Sequence, residues 1–110
     1  MINSSVFVFD SNSGALVANL DGDSITAIRT GAASGLATKF FSSLKSETLA
    51  VYGTGVQAHT QVEAVISCRP IKRVFIYSRN LKSAKKFSDY IHNSYSIAVS
   101  YTHLTLPTKA

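Results

Sequence analysis

The most constraining feature of the chain is a short strand that ends in a glycine turn and leads into a helix. Residues 48–52 are β-prone, the pattern Gly-x-Gly-x-x-Ala occupies residues 53–58, and apolar residues at helical spacing continue to Ser67. Arg69-Pro70 ends this helix, because the residue before proline is biased away from helical geometry. A second β-prone run follows at residues 73–77. The order strand–helix–strand predicts a parallel βαβ unit.

Each small residue of this turn has a mechanical role in binding a dinucleotide. Gly53 permits the tight turn, Gly55 lets a pyrophosphate approach the backbone, and Ala58 keeps the helix close to the sheet. The free N–H groups of the first helical turn point at the phosphates from the positive end of the helix dipole. The alternative is a tight β-to-α turn with no ligand. The predicted cofactor contacts of the turn are Gly53, Thr54, Gly55, Val56, Gln57 and Ala58.

The end of the second strand indicates which cofactor is preferred. A site for NAD(H) places an acidic residue there, about 20 residues past the glycines, to bond the ribose 2′-hydroxyl. Here the position holds Ser78, followed by Arg79. A guanidinium beside a hydroxyl suits a 2′-phosphate, which favours NADP(H) and leaves NAD(H) possible. The alternative is a solvent-facing arginine just past a strand.

The remaining elements extend this unit in both directions. Residues 6–9 and 15–20 predict a β-hairpin around a polar loop, and residues 21–24 offer helix N-cap candidates. A second helix and a third strand are predicted at residues 81–92 and 95–99. The chain is therefore predicted to be α/β, a partial Rossmann fold with a parallel βαβαβ unit preceded by a β-hairpin and a helix.

The helix after the hairpin has two conflicting patterns. An apolar stripe recurs every three or four residues, and the middle of the helix is rich in small residues, including Gly31 and Gly35. Two glycines destabilise a helix by roughly 0.5–1 kcal/mol each, so they predict a close approach to another helix or to a ligand. The predicted stripe consists of Ile25, Ile28, Ala32, Leu36 and Phe40.

Composition narrows the class of protein. The length of 110 residues suits one domain, and the net charge of +5 reflects seven basic residues between Arg69 and Lys86. This basic cluster is interpreted either as a solvated surface or as a region that attracts a phosphorylated cofactor. The sequence shows no nucleic-acid motif, membrane span, secretory signal or metal-ligand spacing. Cys68 alone permits no internal disulfide and suits the cytoplasm. His59, in the first turn of the glycine-loop helix, either approaches the cofactor or is solvated.

Three ordered segments carry a family resemblance. They are Ile-Thr-Ala-Ile-Arg-Thr-Gly-Ala-Ala-Ser at 25–34, Val-Tyr-Gly-Thr-Gly-Val-Gln-Ala at 51–58 and Ile-Lys-Arg-Val-Phe-Ile-Tyr-Ser-Arg at 71–79. Together they resemble the ornithine cyclodeaminase/mu-crystallin family, from about Val6 to Ala98. The resemblance implies a homodimeric NAD(P)-dependent parent protein that acts on amino acids or cyclic imines as an oxidoreductase or deaminase. It also leaves open a non-catalytic, mu-crystallin-like binder of NADPH and a small ligand.

The resemblance also implies roles for individual residues. By position, Arg29 is expected near both the cofactor phosphates and the substrate carboxylate, while Ser78 and Arg79 match the ribose end. The family's catalytic lysine lies upstream of the hairpin and its catalytic aspartate lies downstream of Ala98. No catalytic residue is therefore assigned to this chain, which is predicted to be inactive by itself.

The resemblance divides the chain into three parts. Residues 1–23 are predicted to be a hairpin remnant of a substrate and dimerisation domain, and residues 24–98 a truncated NAD(P)-binding Rossmann portion. Residues 99–110 are predicted to be a non-native tail, because they resemble a translated sequencing adapter rather than the family's next strand. The alternative is a genuine β run that Pro107 weakens.

Overall fold

The computed structural model describes residues 3–103 as a hairpin, a long helix and a βαβαβ unit. Asp21 caps the long helix, and hydrogen bonds from the hydroxyl and N–H of Ser24 hold the pKa of its carboxyl below the usual 3.8. The elements are β1 Ser5–Phe9, β2 Leu16–Asp21, α1 Gly22–Phe41, β3 Thr48–Tyr52, α2 Val56–Cys68, β4 Arg73–Ser78, α3 Leu81–Tyr95 and β5 Ala98–His103.

The predicted fold class is confirmed. Strands β1 and β2 pair antiparallel, and the other three form a parallel sheet in the order β3-β4-β5. Val74 and Ile76 of β4 face helices α2 and α3 and are almost completely buried. Val62 of α2 and Phe87 and Ile91 of α3 pack with them and are at most 3% exposed. The core therefore lies between one face of the sheet and two helices.

The third strand lies later in the chain than the predicted residues 95–99. Tyr95 ends α3, Ser96 adopts left-handed backbone geometry with φ of 55°, and β5 begins at Ala98. Because β-prone Tyr95 belongs to the last helical turn, the β-prone pattern alone places the boundary too early. Residues 99–103 of the predicted non-native tail lie in β5, and residues 104–110 lie outside the described residues. Strand geometry does not test the origin of these residues, so the tail stays a prediction.

The predicted apolar stripe of α1 is not its buried face. Ile28, Leu36 and Phe40 are 57–71% exposed, whereas Gly22, Ala27, Gly31 and Gly35 are buried. Gly31 and Gly35 face α2 and allow the two helix backbones to come closer than large side chains would permit, whereas Gly22 packs against Ser4.

The glycines of α1 approach a helix rather than a ligand. A Cβ atom added to Gly31 would lie 2.7 Å from the carbonyl oxygen of Thr60, and one added to Gly35 would lie 3.0 Å from the Cβ of Ala64. Position 31 lies opposite position 60 and position 35 opposite position 64, so α1 and α2 run in the same direction. Cys68, half-buried at the end of α2, donates its thiol hydrogen to the carbonyl of Gly35 at 3.4 Å.

Arg69 connects the carboxyl-terminal ends of α1 and α2. It is only 7% exposed, and its guanidinium donates to the carbonyl oxygens of Thr38, Lys39 and Ser42 at 2.7–3.2 Å. These carbonyls lie at the negative end of α1, where a cation is favourable. The interpretation of Arg69 as part of a solvated basic surface is therefore wrong.

Replacing Gly31 by alanine tests the helix contact. We expect Gly31→Ala to destabilise the fold by about 1–3 kcal/mol, because its Cβ would collide with the α2 backbone. The cost of this collision is larger than the gain of about 1 kcal/mol that alanine brings to a helix in place of glycine. Chemical denaturation measures the change in the free energy of unfolding. Ala37→Leu, on an exposed position of α1, is the control and should change it by less than about 0.5 kcal/mol. A stabilised Gly31→Ala variant would contradict the close packing.

Replacing Arg69 tests the connection at the helix ends. Arg69→Met should lower the free energy of unfolding by about 1–3 kcal/mol, since it removes the donor from the carbonyls of Lys39 and Ser42, while the Thr38 carbonyl keeps its bonds from Ser42. Arg73→Met is the matched control, because Arg73 is exposed and makes one long contact of 3.4 Å with Thr48. Equal effects of the two substitutions in chemical denaturation would show that the buried hydrogen bonds contribute nothing.

Candidate functional site

The glycine turn is held at the carboxyl edge of the sheet by its own backbone. Gly53 has φ of +96°, which side-chain-bearing residues rarely adopt, and its N–H donates to the carbonyl of Tyr77 at 2.8 Å. This bond ties the end of β3 to the end of β4. The rings of Tyr52 and Tyr77 stack beside it, with centroids 4.9 Å apart.

The start of α2 differs from the start of the other two helices in residues 3–103. Asp21 caps α1 and Asn80 caps α3 through their side chains, but Gly55 at the start of α2 provides no side-chain cap. No acidic residue occupies the first turn of α2, and a Cβ added to Gly55 would meet nothing within 4 Å. The N–H of Ala58 donates to the carbonyl oxygen of Gly55 at 3.0 Å, and the space beside Gly55 is open, which fits a phosphate group in van der Waals reach of the backbone.

Two clefts flank the turn on opposite sides. The larger, of about 500 Å³, runs between β3 and α2 and includes five of the six predicted turn residues. The smaller, of about 340 Å³, lies between α2 and α3 and includes the sixth, Thr54. A dinucleotide crossing the turn at its pyrophosphate would therefore have space on each side. The turn residues of the larger cleft are Gly53, Gly55, Val56, Gln57 and Ala58.

The predicted ribose-end pair occupies the end of β4, next to the turn. Ser78 is 6% exposed, and its hydroxyl accepts the N–H of Asn80 at 3.2 Å, so it shapes the passage from β4 into α3. Arg79 is exposed and follows directly. The chain thus presents the guanidinium to solvent while the serine hydroxyl is already used within the loop.

Arg29 lies apart from these residues. Residues of α1 lie opposite residues of α2 that are 29 positions later, so Arg29 is at the height of Ala58. Its side chain is rotated by about 200° around the helix axis from the buried Ala27, which places it on the other side of α1 from α2. It is exposed and borders a groove between α1 and the hairpin, together with Val6 and Thr26. The predicted contacts of Arg29 with cofactor and substrate stay predictions.

Sequence reasoning named Thr54 and His59 but missed that α3 supplies the other side of the smaller cleft. Lys86 and Ser83 of α3 face His59 and Thr54 across it. The ring of His59 is half-buried and lies 4.6 Å from the ring centroids of both Phe87 and Tyr90. The signal was present in the sequence, since Ser83 and Lys86 are one helical turn apart and lie on one face of α3.

Two further features concern the described residues alone. No helix between residues 3 and 103 combines the length and apolar content that crossing a bilayer requires. Within the same range, no three side chains of His, Cys, Asp or Glu come together as a metal site would need.

Comparison with known proteins gives one consistent result. The model of the ornithine cyclodeaminase/mu-crystallin family matches residues 2–104. Delta(1)-pyrroline-2-carboxylate reductase of Bacillus thuringiensis is 40% identical over 102 residues, which are 93% of this chain and 31% of that protein. Ketimine reductase mu-crystallin of Macropus fuliginosus is 38% identical over 95 residues, 86% of this chain and 30% of that protein.

A solved structure agrees with the sequence relatives. Thermococcus litoralis Delta(1)-pyrroline-2-carboxylate reductase, solved with NADH and L-proline, superposes with a TM-score of 0.86 at 39% identity. The match covers 92% of this chain and 31% of that one. The chain therefore spans about a third of the length of the relatives it matches.

Proposed function

The chain belongs to the ornithine cyclodeaminase/mu-crystallin family, and we propose that it is the NADP(H)-binding part of an enzyme acting on amino acids or cyclic imines. The observation that carries this proposal is the start of α2, where no side chain caps the helix and Gly55 leaves the backbone open. A nicotinamide cofactor bound there would supply hydride transfer. The chain's own residues would bind and orient its phosphates at the N–H groups of the first turn.

The preference for NADP(H) is supported by charge at the ribose end. Arg79 is exposed beside the end of β4, and neither it nor the two residues before it is acidic. A carboxylate would repel a 2′-phosphate, whereas a guanidinium can form two charge-assisted hydrogen bonds with it. The Thermococcus relative was solved with NADH, and the proposed preference rests on this chain's own Ser78-Arg79 pair.

Substrate, assembly and location follow as proposals from the family. Arg29 is suited to a substrate carboxylate because its guanidinium is exposed beside the hairpin, residues 1–23, which we assign to a substrate and dimerisation domain. We propose a homodimeric parent protein and, from the free thiol of Cys68, a cytoplasmic one. The 110-residue chain alone is expected to bind cofactor without turning over a substrate.

The second candidate function is a non-catalytic binder of NADPH and a small ligand. The likeness to ketimine reductase mu-crystallin supports this candidate, although the name of that protein also describes a reductase. Both candidates use the same turn. They differ in turnover by the complete protein when NADPH and a cyclic imine are supplied together.

Two alanine substitutions separate cofactor binding from folding. Gly55→Ala should leave the free energy of unfolding within about 0.5 kcal/mol, because φ is −72° and the added Cβ meets no atom. It should nevertheless weaken NADPH binding at least about tenfold, because the Cβ occupies the space of the pyrophosphate. Gly53→Ala is the contrasting variant, expected to destabilise the fold by about 1–2 kcal/mol because φ is +96°. Calorimetric titration and denaturation give both quantities, and unchanged NADPH affinity in Gly55→Ala would refute the site.

The cofactor preference has its own test. Arg79→Gln should weaken NADPH binding about tenfold and leave NADH binding within about twofold, because only NADPH carries the 2′-phosphate. Lys72→Gln is the control, since Lys72 pairs with Glu47 at 2.6 Å near the opposite end of β4. Equal affinity of the unmodified chain for NADPH and NADH, with circular dichroism showing that it is folded, would overturn the preference.

A further inference from the structure

The smaller cleft, between α2 and α3, has the composition of an anion site. Its lining is Thr54, His59, Ser83, Lys86 and Phe87, which includes a lysine, a histidine and two hydroxyls and no acidic residue. The larger cleft has no cationic side chain in its lining. A negatively charged group near the turn would therefore be more stable in the smaller cleft.

The position of this cleft relates it to one end of the cofactor. Thr54 belongs to the glycine turn, and Ser83 and Lys86 belong to the first two turns of the helix that begins just after Ser78-Arg79. The cleft thus borders the glycine turn on one side and, on the other, the helix that follows the predicted ribose end.

The main-chain donors of α3 do not account for such a site. The side chain of Asn80 accepts the N–H of Ser83 at 3.1 Å, so the start of α3 already has its cap. An anion in the cleft would instead be held by side chains. The ring of His59 is fixed between Phe87 and Tyr90, which gives the cleft a rigid wall opposite the flexible lysine.

We propose that this cleft receives the 2′-phosphate of NADP(H) and that Lys86, supported by the hydroxyls of Ser83 and Thr54, is a specificity-determining residue beyond Arg79. The ammonium of Lys86 donates to the phosphate oxygens from the α3 side, and Arg79 donates from the end of β4. This inference rests on the proposed function, because it requires a nucleotide across the glycine turn.

Adenosine nucleotides with and without the 2′-phosphate give the sharpest test. The folded 110-residue chain would be titrated with adenosine 2′,5′-bisphosphate and with adenosine 5′-monophosphate. Lys86→Gln should weaken the bisphosphate about fivefold and leave the monophosphate within about twofold, a size expected for one exposed charge-assisted contact. Lys86→Arg should retain most of the affinity. Lys85→Gln removes the same charge from a neighbouring exposed position of α3 outside the cleft and should change neither affinity more than twofold.

The outcomes distinguish this inference from the function on which it rests. If the unmodified chain binds the bisphosphate no better than the monophosphate, the NADP(H) proposal fails and the cleft fails with it. If the preference exists and Arg79→Gln removes it while Lys86→Gln does not, the cleft proposal alone is wrong. Equal losses in Lys86→Gln and Lys85→Gln would also refute it, because they would show only long-range attraction.

Discussion

The close approach of α1 to α2 at Gly31 and Gly35 determines where the glycine turn can lie. Any Cβ at Gly31 would overlap the backbone of Thr60, so the separation of the helices is set by backbone atoms rather than by adaptable side chains. Arg69 then connects the carboxyl-terminal ends of the two helices through the carbonyls of Thr38, Lys39 and Ser42. With α2 fixed on one side by α1 and on the other by the sheet, the helix start after Gly55 has little freedom to move.

This arrangement explains why a helix with little apolar burial remains in place. The large apolar residues of α1 point outward, and Ile28, Leu36 and Phe40 remain more than half exposed. Its contact with α2 instead relies on short backbone distances and on the hydrogen bonds from Arg69. Dispersion between closely packed backbones and satisfied helix-end carbonyls replaces the burial of large side chains.

The sequence predicted most of the fold because its strongest signals are local. β3 was predicted at its observed bounds, and the predicted α2 and β4 are each one residue shorter than the observed elements. Gly53 and Pro70 are strong local signals for the ends of β3 and α2. The buried face of α1 and the start of β5 were missed because both depend on tertiary packing. A helix stripe identifies apolar residues, but it cannot show that a neighbouring backbone prefers glycine. The cleft between α2 and α3 was missed for the same reason, as it needs two helices in register.

The basic residues between 69 and 86 illustrate how one charge cluster divides into separate roles. Arg69 is buried and completes a helix end, while Lys72 pairs with Glu47 near the start of β4. Arg79 and Lys86 lie at the other end of β4 and along α3, beside the uncapped helix start. Lys72–Glu47 is the one ion pair within residues 3–103, so Arg79 and Lys86 carry positive charge that no ion pair in this range neutralises. An anionic cofactor approaching the carboxyl edge of the sheet would be attracted to the side where its ribose is expected to bind.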